Sequence, residues 1–269
     1  MILVEFHKLF RRRRTWATIG VLNALPVTVA VLLAVTDLGP RPGSGPAFLS
    51  AVLTNGALFP LAALGIVLPL FLPIAVAVVA ADAIAGEAQA GTLRYLLARP
   101  AGRTRLLVAK LIAVLAFVLV TVVTVALVGY LIGITLFDTQ TVGGVSISGT
   151  SLTAQQLAGR TALAIGYVTV SMCGVAAVAL FFSTFTDAPL GATLGALAVL
   201  VASSLLLTLD AASPIAPYLP TRYWLSFVDF FRDPILWRNI VRGLGLQAVY
   251  VGVLLAGAWA NFTTKDITS

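Results

Sequence analysis

Residues 106–136 read "LLVAKLIAVLAFVLVTVVTVALVGYLIGITL", and Lys110 is the only charged side chain in this stretch. A membrane-spanning helix needs roughly 20 consecutive apolar residues, because it rises about 1.5 Å per residue across a hydrocarbon core of roughly 30 Å. The run does not alternate apolar and polar residues as a barrel strand does, and a helix satisfies its own backbone hydrogen bonds in lipid. The stretch therefore predicts a transmembrane α-helix that is long enough to tilt or to project beyond the membrane.

The rest of the chain is also strongly apolar. Of its 269 residues 59% are hydrophobic and 10% are charged, and the mean hydropathy is +1.03. These values are typical of an all-α polytopic membrane protein that forms a single domain over residues 1–269. Six spans are predicted, near 15–36, 58–81, 106–136, 160–186, 188–209 and 241–262.

The basic residues predict the orientation. The formal charge is +7, and the 17 Lys and Arg residues divide unequally between the two sides that six spans define. Eleven lie on one side: Lys8, Arg11, Arg12, Arg13, Arg14, Arg94, Arg99, Arg103, Arg105, Lys110 and Lys265. Six lie on the other: Arg41, Arg160, Arg222, Arg232, Arg238 and Arg242. The richer side is expected to be the cytoplasm, with both termini on it. No soluble basic domain is present, so nucleic acid is not expected as a partner.

Candidate catalytic residues are scarce. His7 is the only histidine and lies outside the predicted spans, and Cys173 is the only cysteine, so neither a Ser-His pair nor a Cys-based metal cluster is expected within the membrane. None of the three lysines follows a glycine, which excludes a P-loop. The span interiors carry no charged pair of the kind that proton or sodium relays use. We therefore expect a chain that is not an enzyme and has no metal or cofactor of its own.

Three segments flank or interrupt the spans. Residues 1–14, "MILVEFHKLFRRRR", predict an amphipathic interfacial helix whose arginines contact lipid headgroups, with Ile2, Leu3, Phe6, Leu9 and Phe10 on one face. Residues 211–240 are rich in Pro and aromatic residues and are expected on the external side. They form either a passive aromatic belt or a helical hairpin over an exit path. Residues 82–105 form a cytoplasmic loop.

The second span contains Pro69 and Pro73, which are expected to kink it. Gly129 with Gly133 and Gly191 with Gly195 form two small-xxx-small faces, for which close helix packing is the simplest explanation.

The loop at 82–105 is the most unusual part of the chain. Asp82 and Glu87 are expected where the lipid phase ends, and Gly86 and Gly91 are expected to let the chain turn. The sequence "TLRYLLARP", 92–100, predicts a short helix that Pro100 stops. Its leucines at 93, 96 and 97 share one face and have no span to pack within, so this ridge is predicted to press on headgroups or on another protein.

At this loop the chain resembles the ABC-2 type permeases, the membrane subunits of ABC exporters that pair with a separate ATPase. The resemblance is carried by "DAIAGEAQAGTLRYLLARPAGRTRLLVAKLIA", residues 82–113. It is supported by the amphipathic basic start, the six predicted spans, "YLPTRYW" at 218–224 and "FTTKDI" at 262–267. The motif covers about thirty residues, whereas the layout covers the whole chain.

The resemblance implies a coupling helix that docks in a groove of the ATPase. The residues that it assigns to coupling are Glu87, Gly91, Thr92, Leu93, Arg94, Tyr95, Leu96, Arg99 and Pro100. It also implies a working unit of two permeases and two ATPases, with ATP and Mg on the ATPases and a substrate path between helices two and five. The residues predicted along that path are Pro69, Pro73, Thr193, Leu197, Ser203 and Ser204.

The leading hypothesis is the permease subunit of an exporter in a bacterial cytoplasmic membrane. A path between apolar helices favours a hydrophobic or amphipathic cargo such as a drug, lipid or peptide antibiotic. The second permease is either a copy of this chain or a paralogue. The alternative is a membrane scaffold or sensor that docks a cytosolic partner through the same loop and moves no substrate.

Overall fold

The computed structural model describes residues 2–36, 55–91, 103–137, 143–145 and 151–264. Six helices in these ranges are long and apolar enough to cross a membrane: Arg13–Val35, Phe71–Gln89, Thr104–Leu136, Ala154–Phe185, Pro189–Leu206 and Trp237–Phe262. The prediction of an all-α polytopic membrane protein with six spans is confirmed.

The helices are numbered in chain order. They are α1 (Ile2–Arg11), α2 (Arg13–Val35), α3 (Phe59–Val67), α4 (Phe71–Gln89), α5 (Arg103–Leu136), α6 (Ala154–Phe185), α7 (Pro189–Leu206) and α8 (Trp237–Thr264). Short 3-10 helices cover Gly56–Leu58, Asp210–Ala212, Ala216–Tyr218 and Trp224–Phe231. Two short strands, β1 (Gly143–Val145) and β2 (Ser151–Thr153), pair in an antiparallel hairpin.

The predicted second span is two helices rather than one kinked helix. Helix α3 ends at Val67, and α4 begins at Phe71 after a turn that contains Pro69. Proline has no N–H to donate and its ring clashes with the preceding turn, so two prolines four residues apart interrupt the helix here. The predicted end at residue 81 was also too early, because α4 continues to Gln89.

The fourth span begins six residues before its predicted start at 160. Thr153 precedes α6, where its hydroxyl accepts a hydrogen bond from the Gln156 N–H and the Gln156 side chain accepts one from the Thr153 N–H. This reciprocal arrangement is a capping box, and the spacing of Thr and Gln in the sequence could have indicated it.

Helix α6 forms the centre of the bundle and contacts α4, α5, α7 and α8. In the most apolar 18-residue stretch of α6, 67% of the residues are buried, whereas in the corresponding stretch of α8 only 17% are buried. Glycine allows close packing at three of the four predicted positions, one of which is Gly129 of α5, where a Cβ would lie 2.9 Å from the Ala63 Cβ. A Cβ on Gly133 of α5 would lie 2.1 Å from the Gly56 carbonyl oxygen, and one on Gly195 of α7 would lie 2.9 Å from the Phe182 ring. The bundle is therefore closely packed around α6.

The segment between α7 and α8 consists of turns and short 3-10 helices. Four of its aromatic side chains are buried inside the chain, where they contact α6 and α8: Trp224, Phe227, Phe230 and Phe231. Tyr218 and Trp237, by contrast, are exposed. Most of the aromatic side chains of this segment therefore belong to the hydrophobic core, which the composition of the segment did not indicate.

Candidate functional site at the end of α4

The last turns of α4 lie against α1 and α5, and a cluster of charged side chains joins the three helices. Glu87 of α4 forms ion pairs with Lys8 of α1 and with Lys110 of α5, and the Lys110–Glu87 N–O distance is 2.7 Å. Glu5 of α1 lies 3.6 Å from the Lys110 nitrogen. We call Glu5, Lys8, Glu87 and Lys110 the α4 charge cluster.

Two members of the cluster are withdrawn from solvent. Glu87 is 4% exposed and Lys110 is 2% exposed. Moving a charge out of water costs several kcal/mol, and close opposite charges offset that cost when both are present. The cluster therefore fastens the end of α4 to α1 and α5, and each of its buried charges depends on the others.

A second ion pair lies at the edge of the cluster. The Arg12 guanidinium donates to the Asp82 carboxylate, one turn and a residue before Glu87 on α4, and both side chains are partly exposed. Exposed pairs of this kind contribute between about 0 and 1 kcal/mol, so this pair orients α1 more than it stabilises the bundle.

The amphipathic character of α1 is confirmed, but two of its charged residues point into the protein. Glu5 and Lys8 meet α4 and α5, whereas Leu3 is 82% exposed and Phe6 and Arg11 are also exposed. The Phe6 and Phe10 rings lie 4.6 Å apart, and Phe10 contacts Trp16 at the start of α2. Leu9, predicted on the apolar face, instead packs against the core.

Gly91 ends α4, as its predicted turning role requires. Its φ is +67°, in the left-handed region that glycine adopts at low cost, and its N–H donates to the Ala88 carbonyl. The expectation of a turn at Gly86 was wrong. Gly86 lies inside the helix, where a Cβ would sit 2.3 Å from the Asp82 carboxylate.

The structure describes two of the predicted coupling residues, Glu87 and Gly91. The others lie outside the described residues, and their roles stay predictions: Thr92, Leu93, Arg94, Tyr95, Leu96, Arg99 and Pro100. The short helix predicted at 92–100 falls there as well.

Sequence reasoning missed a polar contact between α4 and α6. The Ser183 hydroxyl of α6 donates to the Ala81 carbonyl at 2.7 Å and accepts from the Ala85 N–H at 2.9 Å. These two backbone groups are four residues apart on α4, so they are the pair that a regular helix joins directly. A side chain that enters this ladder is a recognised cause of local bending. The only signal in the sequence was the Ser-Thr pair within the apolar end of α6.

The same end of α6 also holds α8. The Asn261 side chain donates to both the carbonyl and the hydroxyl oxygen of Thr184, each at 3.0 Å. Ser183 and Thr184 are adjacent, so two neighbouring residues of α6 join α4 on one side and α8 on the other.

The residues predicted along the substrate path lie on α4, α7 and the turn before α4. Helices α4 and α7 do contact one another. Pro73 and Thr193 are buried, Leu197 is half-buried, and Pro69 and Ser204 are exposed. An apolar groove of about 370 Å³ lies between α2 and α4, and none of the six predicted residues lines it. Their role in a path stays a prediction.

Ser203 has a different environment from the one expected for a path residue. Its hydroxyl is buried and lies 2.7 Å from the Thr221 hydroxyl, in the segment that follows α7. Three more hydrogen bonds fasten this segment. Tyr167 donates to the Tyr223 carbonyl, Gln247 to the Pro220 carbonyl and Tyr250 to the Tyr218 carbonyl.

Comparison with known protein families matches residues 1–194 to the family described as ABC-2 family transporter protein. The match begins before α1, contains the α4 charge cluster and ends within α7. The chain belongs to the ABC-2 transporter family. It is a membrane permease subunit of an ABC transporter, and the resemblance noted at residues 82–113 is confirmed.

Permeases of this family are generally non-catalytic subunits that work with an ABC-type ATPase. The family and the six apolar helices together make the chain a multi-pass membrane protein. Among the described residues, no group of three or more His, Cys, Asp and Glu side chains could hold a metal ion. No curated protein matches the chain.

Proposed function

We propose that this permease exports a hydrophobic or amphipathic compound across a bacterial cytoplasmic membrane, driven by a separate ATPase that docks on the predicted 82–105 loop, of which residues 82–89 belong to α4. The observation that carries the proposal is the α4 charge cluster, whose Glu87 lies four residues before Gly91, where α4 has ended and the chain continues toward α5. The cluster joins the loop-proximal end of α4 to α1 and α5, so a partner that moved the loop would move three helices.

The contacts of Ser183 support transmission of such a movement further into the bundle. Through Ser183 the last turns of α4 are hydrogen-bonded to α6, and through Thr184 and Asn261 α6 is bonded to α8. Packed helices joined by such discrete contacts move as units rather than deforming continuously, which is what an ATP-driven conformational change requires.

The assignment of cargo rests on how the spans use their polar groups. The Tyr167, Ser203 and Gln247 side chains are hydrogen-bonded to the 218–223 segment of the same chain. Polar groups already satisfied within the protein contribute little to binding a small ion, whereas apolar helix surfaces bind apolar compounds. We therefore favour a drug-like, lipid or peptide antibiotic cargo.

The working unit that we propose contains two permeases and two ATPases, with ATP and Mg bound by the ATPases. The second permease is a copy of this chain or a paralogue. The excess of Lys and Arg on one side supports cytoplasmic termini, where α1 and the 82–105 loop would both face the ATPase.

The test is co-purification from the native host in a mild detergent. The tagged chain should retain a P-loop ATPase, and replacing Leu93 and Leu96 with Asp should release it. Ala98→Asp is the matched control, because it adds a charge to the same segment, but the helix predicted at 92–100 would place it opposite these leucines. Glu87→Ala is less suitable as a coupling variant, because Glu87 is buried in the charge cluster and its removal would also loosen the helix end.

Three outcomes are informative. Selective loss of the ATPase in the leucine variant would support docking through this loop. Equal retention in all three chains would overturn the assignment of the docking site. A chain that purifies with a different cytosolic protein and no ATPase would instead support the scaffold or sensor hypothesis.

A further inference from the structure

The groove between α2 and α4 has a size suited to a hydrocarbon chain. Its volume is about 370 Å³, and its walls include Thr18, Val21 and Leu22 of α2 and Phe71, Ile74 and Val78 of α4. Binding clefts for small molecules are commonly about 300–1,000 Å³. All but one of these six side chains are wholly apolar, so the groove favours an apolar occupant.

The groove opens on the outer surface of the bundle. Val21 is 64% exposed and Val78 is 47% exposed, while Leu22 on the inner side is buried. Both walls belong to helices that are long and apolar enough to span the membrane. The occupant of the groove therefore comes from the lipid phase.

One end of the groove is strongly basic. Arg14 precedes Thr18 by one helical turn, and the Thr18 hydroxyl donates to the Arg14 carbonyl. Helical side chains slope toward the N-terminus, so the exposed Arg14 guanidinium extends away from the groove toward the level of the lipid headgroups. Arg11 and Arg13 are also exposed here, whereas Arg12 is paired with Asp82.

We propose that this groove and its arginines form a binding site for an anionic phospholipid. One acyl chain lies along α2 and α4, and the phosphate headgroup lies on Arg14 with Arg11 or Arg13. Trp16, two residues after Arg14, is exposed and donates its indole N–H to the Phe10 carbonyl, and tryptophan is enriched at membrane interfaces. The site goes beyond the proposed export function, because it requires neither the ATPase nor the cargo.

The arginines favour a lipid over a second copy of the chain. A symmetric dimer through this face would bring the same patch of each copy together. The basic ends of two grooves would then lie near each other, and like charges at an interface disfavour association. An anionic headgroup neutralises the same charges.

The test uses the full chain in nanodiscs that contain a photoreactive lipid with a diazirine in its acyl chain. Two probes with identical chains are compared, phosphatidylglycerol and phosphatidylcholine, and the crosslinked residues are mapped by mass spectrometry. A basic residue near an anionic headgroup contributes about 1 kcal/mol, which corresponds to about fivefold in binding. Arg14→Gln should therefore reduce labelling of the groove by phosphatidylglycerol about fivefold, and the matched control Arg105→Gln should not.

Val21→Trp fills the groove from its open side, and Val31→Trp is the control on the same helix outside the groove. Both valines are exposed, so neither change disrupts the core. The proposal predicts that Val21→Trp abolishes phosphatidylglycerol labelling of α4. If both lipids labelled the groove equally, and if Arg14→Gln did not change that labelling, the proposal would be overturned in favour of a nonspecific lipid annulus. Protein–protein crosslinks at the groove in place of lipid adducts would overturn it in favour of a dimer contact.

Discussion

Removing the charge of Glu87 should destabilise the protein far more than removing the charge of Asp82, although both acids lie on α4 and both are paired with a basic residue near the start of the chain, Lys8 and Arg12 respectively. In Glu87→Gln the ammonium of Lys110 stays 2% exposed, and its remaining acidic neighbour is Glu5 at 3.6 Å. Removing one partner of a buried ion pair costs about 3–5 kcal/mol. Because Glu5 and the glutamine oxygen offset part of that loss, we expect about 3 kcal/mol.

Asp82→Asn is the matched control. It makes the same chemical change on the same helix, but Asp82 and its partner Arg12 both retain access to solvent. Loss of an exposed pair costs less than about 1 kcal/mol. The free energy of unfolding, measured by SDS titration in mixed micelles with helicity as the signal, should therefore separate the two variants by about 2 kcal/mol or more.

A double variant distinguishes the cost of an unpaired buried charge from the cost of a changed side-chain shape at position 87. Glu87→Leu leaves Lys110 buried beside an apolar group, whereas Glu87→Leu with Lys110→Met removes both buried charges and should recover part of the lost stability. If Glu87→Gln and Asp82→Asn differed by less than about 0.5 kcal/mol, or if the double variant were less stable than Glu87→Leu, the cluster would not act as a buried network and the reasoning would fail.

Gly133→Ala should destabilise the bundle by about 1–3 kcal/mol, because its Cβ would meet the Gly56 backbone oxygen and backbone cannot move aside as a side chain can. Gly20→Ala, which has open space around its Cβ, should be neutral or slightly stabilising in the same titration, and equal losses would contradict this explanation. Ser183→Ala should change stability by less than about 1 kcal/mol, because the two α4 backbone groups can pair with each other, yet it should lower transport per ATP hydrolysed. The exposed Ser204→Ala should leave that ratio unchanged, and normal coupling in Ser183→Ala would show that the hydroxyl plays no part in transmission.

The number of membrane spans and their helical form could be predicted because they follow from the long apolar runs of the sequence. A run such as 106–136 has no alternative to a helix in lipid, and α5 begins and ends within three residues of that run. Errors arose where a local signal outweighed hydropathy. Two prolines divided the second predicted span into α3 and α4, and a capping box at Thr153 moved the start of α6.

The candidate site could be predicted less completely. Glu87 was singled out from a motif, but nothing in the sequence indicated that Lys8 and Lys110, 79 and 23 residues away, would share its carboxylate. Ion pairs between distant helices depend on packing, which a single sequence does not encode in any local pattern. The polar face of α1 illustrates the point, because its periodicity was correctly recognised whereas its burial against α4 and α5 was not.

Two kinds of connection and the end of the helix fall within eleven residues of α4 and its last turn. The Ser183 hydroxyl of α6 donates to the Ala81 carbonyl and accepts from the Ala85 N–H, Glu87 forms ion pairs with the lysines of α1 and α5, and Gly91 then ends the helix. A rigid coupling between the chain that follows Gly91 and the bundle needs only the charge cluster, whereas a bend in α4 needs the point where the Ser183 hydroxyl bonds to the α4 backbone. The two features therefore predict different failures: loss of Glu87 should weaken the hold of α4 on α1 and α5, and loss of the Ser183 hydroxyl should leave that hold intact while altering how α4 moves against α6.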